Sequence, residues 1–280
     1  MLVRRLRGAR PVGTAETAAV LRVLDEDPIA NCLVAGRVQS HGLIPGALGG
    51  EMWTRGTVDR ALCFVGGNLV PLRGDAGDLR AFAQRAVRFD RTCTAVVGRA
   101  ELVLPLWDWL APEWGPAREI RSDQPLLALT TPPQTETDPA VRRVRPADFE
   151  AFFAASVAMF IEEVGIDPRR GDGGVGYRRR VAEVVRSGSA FARIDDGEVV
   201  FKAEIGARSD RVGQINGVWV QPRLRGRGLG TAGTATLAAE LQHHGLTPSL
   251  YVNTYNTAAR RSYDRIGFTE VDTFATVLID

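Results

Sequence analysis

The chain has 280 residues, of which 45% are hydrophobic and 24% are charged, and this composition is typical of a globular protein. It argues against intrinsic disorder, collagen-like repeats and coiled coils, and the length predicts about two domains. The 35 basic and 33 acidic residues leave a formal net charge of +2 at pH 7, which gives no electrostatic reason to expect nucleic acid or a membrane surface as a partner.

The cysteines and the apolar runs indicate the compartment. Cys32, Cys63 and Cys93 are few and far apart, so they fit neither a disulfide framework nor a zinc site. No apolar run approaches the roughly 20 residues of a membrane-spanning helix. The first ten residues are rich in arginine but lack the apolar core of a signal peptide. We therefore expect a cytoplasmic protein with reduced, buried thiols, no membrane partner and no bound metal.

A segment rich in proline and threonine divides the chain. Thr130 to Pro139 reads TTPPQTETDP, with three prolines, four threonines and no large apolar residue. This composition is typical of an extended linker. The sequence therefore predicts one domain over residues 1–130, a linker over 131–139 and a second domain over 140–280.

The first domain shows alternating helix and strand signals. Helices are predicted after Thr14, from Pro28 towards Arg37, after the N-cap Asp75 and over 101–110. Strands are predicted over 51–54, 61–65, 93–97 and 126–129.

The second domain repeats this order. Strands are predicted over 141–144, 191–194, 199–205, 212–220, 250–252 and 274–279, with a tight turn at Asp196-Gly197. Helices are predicted from Pro146, around 177–185, over 231–243 and over 257–266. The expected fold class is α/β, with two units of similar order whose mixed sheets combine hairpins and crossover helices.

A glycine-rich loop between a strand and a helix is the most informative stretch. Val218 to Thr231 reads VWVQPRLRGRGLGT, and glycines at 226, 228 and 230 allow a tight turn and close approach of a ligand to the backbone. Free N–H groups at the start of the following helix would bind an anion such as a pyrophosphate. A P-loop is excluded because the loop has no lysine, and the glycine spacing is wrong for a dinucleotide fold. Coenzyme A and an ordinary glycine-rich loop remain as alternatives.

A second motif lies one helix and one strand downstream. The two motifs read Val220-x-Pro222-x-x-Arg225-Gly226-x-Gly228-Leu229-Gly230-Thr231 and Asn256-x-x-Ala259-x-x-x-Tyr263-x-x-x-Gly267-Phe268. Together they resemble the acyl-CoA loop and the second signature of the GNAT N-acetyltransferase family, and the resemblance covers roughly residues 141–280. Its specificity comes from the agreement of two motifs in order and distance.

The resemblance implies a set of site residues. Backbone groups of Val218, Trp219 and Val220 would hold the pantetheine arm beside a splayed strand. The pyrophosphate would be bound by main-chain N–H groups of Arg225, Gly226, Arg227, Gly228, Leu229, Gly230 and Thr231. Asn256 would contact the cofactor arm or its neighbouring backbone, and Tyr263 would protonate the leaving thiolate.

The residue that deprotonates the acceptor amine is less well marked. Glu204, on the hairpin strand that would face the cofactor cleft, is the candidate base. Some relatives have a glutamate in the strand leading into the acyl-CoA loop, but here residues 213–217 contain no acid. Glu162 and Glu163 end a helix that borders the acceptor site in such folds, where they would either bind a cationic substrate or form a solvated helix end.

The first domain lacks an equivalent loop. Its nearest analogue, residues 96–100, has one glycine and no Gly-x-Gly. The expected interpretation is a degenerate GNAT-like copy that shapes the acceptor site or an oligomer interface, as in tandem members of the family; an unrelated α/β domain is the alternative.

The resemblance therefore implies an N-acetyltransferase that transfers an acetyl group from acetyl-CoA to an amine of a small molecule or peptide by direct attack. Two alternatives remain. One is a non-catalytic acyl-CoA sensor or scaffold, and the other is an aminoacyl-tRNA-dependent transferase, against which the near-neutral charge argues.

Overall fold

The computed structural model describes residues 8–44 and 46–280. Most of the arginine-rich N-terminal stretch, residues 1–7, lies outside the described residues, as does Pro45. The strands are β1 (Arg10–Pro11), β2 (Gly50–Thr54), β3 (Leu62–Gly66), β4 (Asn68–Arg73), β5 (Ala95–Arg99), β6 (Glu119–Ala128), β7 (Arg142–Arg143), β8 (Ala190–Asp195), β9 (Glu198–Arg208), β10 (Val212–Val220), β11 (Thr247–Tyr251) and β12 (Thr269–Leu278). The α-helices are α1 (Thr17–Asp25), α2 (Cys32–His41), α3 (Ala76–Ala86), α4 (Ala100–Trp114), α5 (Phe149–Val164), α6 (Val175–Arg186), α7 (Leu229–His243) and α8 (Thr257–Ile266).

Local sequence signals set the ends of several of these elements. The Asp75 side chain caps α3 by accepting a hydrogen bond from the N–H of Asp78 at 2.9 Å. The tight turn between β8 and β9 has positive φ at Asp196 (50°) and Gly197 (80°), as a two-residue hairpin turn requires. The α8 helix ends at Gly267, whose φ of 102° is a conformation that favours glycine.

All the strands join one mixed sheet in the order β1-β2-β3-β4-β5-β12-β6-β11-β10-β9-β8-β7. The two halves of the chain repeat one connectivity, because β4-α3-β5-α4-β6 corresponds to β10-α7-β11-α8-β12. The last strand of each half is exchanged: β6 pairs with β11 of the second half, and β12 pairs with β5 of the first half. The exchanged strands also pair with each other at the centre of the sheet.

Helices cover both faces of the sheet. In the first half, α3 and α4 bury Phe82 and Leu106 against β12, while α1 and α2 cover the other face. In the second half, α7 and α8 pack over Phe201 and Leu250, and α5 and α6 cover the face that carries Ala192. This is the mixed α/β fold expected from the sequence.

The halves also contact each other through helix α2. A Cβ at Gly36 would lie 1.9 Å from the carbonyl oxygen of Arg208 at the end of β9, so only glycine fits at this approach. Cys32, one turn earlier on α2, packs with Ala207 and Val212 of the second half. Burial raises the pKa of the Cys32 thiol to about 11, and all three cysteines are free and buried as predicted.

The predicted linker is irregular in structure but attached to the second half. The Asp138 carboxylate binds the Arg193 guanidinium at 3.1 Å, and its backbone N–H donates to the Thr236 hydroxyl at 2.9 Å. The backbone N–H of Gln134 donates to the carbonyl of Ile266. The division into domains at 131–139 stays a prediction about organisation, since strands from each side complete the sheet of the other.

Candidate active site

The site is built where β10 and β11 separate. These parallel strands pair only from Val212↔Thr247 to Gln214↔Ser249, and no pairing follows towards their C-terminal ends. On its other side β10 stays paired with β9, where the N–H of Gln221 donates to the carbonyl of Val200. Because backbone groups alternate in direction along a strand, the N–H and C=O groups of Val218 and Val220 point into the gap.

A β-bulge lies at the mouth of this gap. Between Asn216 and Trp219, β10 has one residue more than the facing part of β9. Gly217 sits in the bulge with φ of +58°, and a Cβ there would lie 3.3 Å from the Lys202 ammonium nitrogen. Bulges redirect a strand and its side chains, so this one sets the direction in which β10 leaves the sheet.

The glycine-rich loop leads from the free end of β10 into α7. Gly226 and Gly228 have φ of +76° and +82°, and a Cβ at either position would have no atom within 4 Å. The N–H groups from Gly226 to Thr231 donate to no acceptor among the described residues; the first backbone bond of α7 runs from Ala232 to Gly228. The start of α7 therefore presents a row of free donors at an open surface, which is suited to an anion.

The arginines of the loop differ in their partners. Arg225 donates from Nη2 to Glu162 Oε2 at 2.6 Å and from Nε to the carbonyl of Val220 at 3.1 Å. The Arg223 side chain binds Glu198. Arg227 makes no side-chain hydrogen bond or ion pair to any described residue. Of the predicted pyrophosphate residues, Arg225 is thus engaged through both its groups, because its side chain is held to α5 and its backbone N–H donates to the carbonyl of Pro222 at 3.3 Å.

Asn256 caps α8. Its Oδ1 accepts a hydrogen bond from the N–H of Ala259 at 3.1 Å. The preceding loop is held by a chain of hydrogen bonds from the exchanged strands: Thr276 Oγ1 donates to Gln124 at 2.7 Å, and Gln124 Nε2 donates to Asn253 at 2.8 Å. Asn253 in turn donates to the Tyr255 hydroxyl at 2.8 Å. Strand β6 of the first half therefore positions the loop that carries Asn256.

Tyr263 lies on the face of α8 that packs on the sheet. It is buried, and its ring meets that of Phe268 edge-on at 6.0 Å. Its hydroxyl makes no hydrogen bond to a described residue. Burial raises the pKa of the phenol well above its usual range, with a smaller contribution from the charge of Glu163. The phenol is therefore protonated at physiological pH, which is the state a proton donor requires.

Glu204 is buried in an ion pair that the sequence analysis did not anticipate. Lys202, two residues earlier on β9, binds Glu204 Oε1 at 2.8 Å, and both side chains are enclosed. The ammonium also contacts Met159 Sδ at 3.5 Å and lies 5.0 Å from the centre of the Phe152 ring, both on α5. Burial lowers the pKa of Lys202, and the charge of Glu204 opposes this effect. One signal was available in the sequence, because Lys202 is the only lysine among the 35 basic residues.

The two glutamates at the end of α5 have different environments. Glu162 accepts hydrogen bonds from Arg225 and from Trp219 Nε1, and the guanidinium of Arg225 holds the pKa of Glu162 below its usual range. The Glu163 carboxylate, which reaches solvent, makes no hydrogen bond or ion pair to a described residue. Its backbone carbonyl accepts from Arg121 Nη2 at 3.4 Å.

The first half has a comparable gap that is closed by its own side chains. Strands β4 and β5 pair over two residues and then separate. The position that corresponds to the acyl-CoA loop is therefore the turn from Arg73 into α3, and the analogue proposed from sequence at 96–100 lies instead at the junction of β5 and α4. At the start of α3 the carboxylates of Asp75 and Asp78 occupy each other's N–H groups at 2.9 and 3.2 Å. These N–H groups are therefore not free to bind a pyrophosphate, and the two carboxylates are paired with Arg55 and Arg60.

No helix within 8–44 and 46–280 combines the length and hydropathy needed to cross a bilayer. The same residues contain no cluster of three or more His, Cys, Asp or Glu side chains arranged to hold a metal ion.

Comparisons with known families and proteins match separate parts of the chain. Residues 50–152 match a family described as a domain of unknown function, DUF4081. Residues 201–277, from β9 to β12, match the family described as FR47-like protein. The mycothiol acetyltransferase of Cellulomonas flavigena is 40% identical over 82 residues, which are 29% of this chain. The match spans only 23% of the length of that curated relative.

Solved structures match nearly the whole chain. A Drosophila protein superposes with a TM-score of 0.67 at 16% identity, covering 97% of this chain and 98% of that one. A tandem GNAT protein from the clavulanic acid biosynthesis pathway gives a TM-score of 0.53 at 13% identity, with coverage of 96% and 98%. The chain therefore has the fold of these tandem structures, and its residues 201–277 match the FR47-like family model.

Proposed function

We propose that the protein is an N-acyltransferase that uses acetyl-CoA as donor and an amine of a small molecule or peptide as acceptor. One observation carries the proposal: β10 separates from β11 and then leads directly into a loop whose N–H groups, from Gly226 to Thr231, donate to none of the described residues. A gap lined by backbone donors, followed by an anion-binding helix start, suits an extended acyl thioester with a diphosphate.

The residues present fit this donor. Gly226 and Gly228 leave open the space that any Cβ would fill, so a diphosphate can approach the backbone closely. The backbone of Val218 to Val220 would bind the pantetheine amides in the manner of an added strand. Asn256 retains an unused amide nitrogen for the same arm, since only its oxygen is engaged in capping α8.

The chemistry follows from the chain's own groups. Acetyl-CoA supplies an acyl thioester that a neutral amine attacks directly. A backbone N–H in the gap between β10 and β11 would stabilise the negative charge that develops on the carbonyl oxygen. Tyr263, which keeps its proton at neutral pH, would donate it to the departing sulfur. The first domain would contribute through β6, which positions the loop before α8.

A second candidate function is an acyl-CoA sensor without turnover. Burial of Glu204 in an ion pair favours this alternative, because the base expected from the sequence is not free. Two measurements separate the candidates. Isothermal calorimetry with acetyl-CoA reports binding, and a thiol reagent reports free CoA released in the presence of spermidine, tyramine and a lysine-containing tripeptide. An enzyme binds the donor and releases CoA with at least one amine, whereas a sensor only binds.

The glycine loop can be tested by a charge placed within it. Gly228→Glu adds a strained Cβ at φ of +82° and a carboxylate among the free N–H groups, so we expect calorimetry to detect no acetyl-CoA binding. Gly245→Glu is the matched control, because Gly245 lies past the other end of α7 with φ of +73° and open space around it. Unchanged affinity in Gly228→Glu, or equal loss in both variants, would contradict the proposed site.

A further inference from the structure

Three carboxylates, those of Glu204, Glu162 and Glu163, border the gap between β10 and β11. Glu204 is enclosed with Lys202 at 2.8 Å, so a proton reaching it would have to break a buried ion pair. Glu162 is held by Arg225 at 2.6 Å and by the Trp219 indole. Glu163 alone among these three has a carboxylate with no partner among the described residues.

The geometry of α5 brings Glu163 to the gap. Met159 and Glu163 are four residues apart, so their side chains lie on the same face of the helix. Met159 contacts the Lys202 ammonium at 3.5 Å, which sets this face over β9 beside the bulge of β10. The last turn of α5 therefore places Glu163 at the opening of the site, where the residue keeps part of its surface exposed to solvent.

Tyr263 lies on the other side of the gap. Its ring packs in the core beneath α7 and α8, whereas Glu163 belongs to the helix on the opposite face of the sheet. The charge of Glu163 makes a small contribution to the raised pKa of the phenol. An amine entering from the α5 side would therefore meet Glu163 first, with Tyr263 across the opening on the side of the departing sulfur.

We propose that Glu163, in place of Glu204, is the carboxylate that accepts the proton of the acceptor's ammonium group. This inference rests on the proposed acetyl transfer. The ammonium N–H bond breaks and its proton moves to the Glu163 carboxylate. The freed nitrogen pair forms the N–C bond to the thioester carbonyl. The C–S bond then breaks, and the thiolate takes the Tyr263 proton. The nitrogen of the new amide loses its second N–H proton, which passes through water to the Tyr263 phenolate, and the proton on Glu163 leaves to solvent, so the cycle is balanced.

Charged groups on several elements surround Glu163 and tune its proton affinity. Partial burial in the cleft raises the pKa of Glu163, and the negative charges of Glu162 and Glu204 raise it further. The positive charges of Lys202 on β9 and Arg121 on β6 oppose this shift. The titratable groups that face it from the remaining elements are Tyr177 on α6, Tyr251 on β11 and Tyr263 on α8. A pKa nearer to neutral makes a carboxylate a better general base at physiological pH.

The test uses the full chain and the panel amine that gives the fastest CoA release. Glu163→Gln is expected to lower kcat/KM for that amine about 100-fold or more, because it removes a general base. In the wild type kcat/KM should be constant above the pH at which Glu163 becomes protonated, whereas in Glu163→Gln it should fall continuously as the pH is lowered, because only the neutral fraction of the amine still reacts. Acetyl-CoA affinity by calorimetry should stay within about twofold. Glu183→Gln, an exposed glutamate on α6, is the matched control and should leave all three values unchanged.

A second substrate separates chemistry from structure. Trifluoroethylamine is already neutral at pH 7 and needs no deprotonation before it attacks, so Glu163→Gln should acetylate it nearly as fast as the wild type does. An equal fall in kcat/KM for both amines in Glu163→Gln would indicate a structural role and overturn the inference. Wild-type kcat/KM in Glu163→Gln, or loss of the pH-independent range of kcat/KM only in Glu204→Gln, would also overturn it. If the wild-type protein binds acetyl-CoA but releases no CoA with any amine, the proposed function fails and this inference fails with it.

Discussion

Tyr263 is the residue on which the proposed chemistry depends most directly. Tyr263→Phe removes one oxygen that makes no hydrogen bond to a described residue, so we expect little change in stability. It also removes the proton offered to the departing thiolate, and kcat should fall by about 100-fold or more. Acetyl-CoA affinity, measured by calorimetry, should be almost unchanged. Undiminished kcat would mean that the thiolate departs without this acid.

Lys202 and Glu204 form a pair whose separation should be costly. Lys202→Met leaves the Glu204 charge buried without its partner, and we expect the free energy of unfolding in urea to fall by about 3–5 kcal/mol. The double variant Lys202→Met/Glu204→Leu removes both charges and should recover most of that loss. A single variant as stable as the wild type would show that water or another cation reaches Glu204.

The sequence predicted the position of Tyr263 but not the partner of Glu204. The position of Tyr263 followed from a motif whose spacing fixes the helix face, and the structure puts it at the predicted place in α8. The partner of Glu204 could not be predicted from spacing, because residues two apart on a strand share a face but do not by themselves reveal burial. The roles of Glu204, Tyr263 and Asn256 in chemistry remain predictions.

Elements with strong local signals were predicted almost to the residue. Strand β10 covers Val212–Val220 and helix α8 covers Thr257–Ile266, as expected from the sequence. Strand β4 was not predicted because Pro71 interrupts an otherwise apolar run. Proline cannot donate a backbone hydrogen bond and therefore argues against a strand. That omission moved the expected analogue of the glycine loop to residues 96–100, one strand too late in the first half.

The contact of helix α2 with strand β9 gives a prediction at the scale of elements. Gly36→Ala would place a Cβ 1.9 Å from the Arg208 carbonyl oxygen, so the helix must shift away from the second half. We expect a loss of about 1–3 kcal/mol in unfolding free energy, as for other overpacked sites. Gly67→Ala is the control, since a Cβ there has open space, and equal stability of the two variants would contradict the tight contact.

The exchange of strands could not have been predicted from the sequence. Both β6 and β12 have the apolar pattern of central strands, and local patterns do not say which neighbour a strand pairs with. Short connections usually keep sequential elements adjacent, so the expected arrangement was two separate sheets. In the structure β6 completes the second half and β12 completes the first.

This arrangement predicts that the halves do not fold separately. A fragment of residues 140–280 lacks β6, which leaves the edges of β11 and β12 unpaired and exposed. We expect it to aggregate in size-exclusion chromatography. Co-expression with residues 1–139 should restore a soluble 1:1 complex, because that fragment supplies β6. A monomeric 140–280 fragment that binds acetyl-CoA would show that the exchanged strand is dispensable.

The central position of β12 also constrains folding during translation. While a ribosome makes the chain, β5 has no partner on one side until residues 269–278 have left the exit tunnel. The half that contains β5 therefore keeps an apolar strand edge unpaired until β12 has been synthesised. A premature stop codon shortly before β12 would damage the distant half of the protein as severely as the half in which the stop occurs.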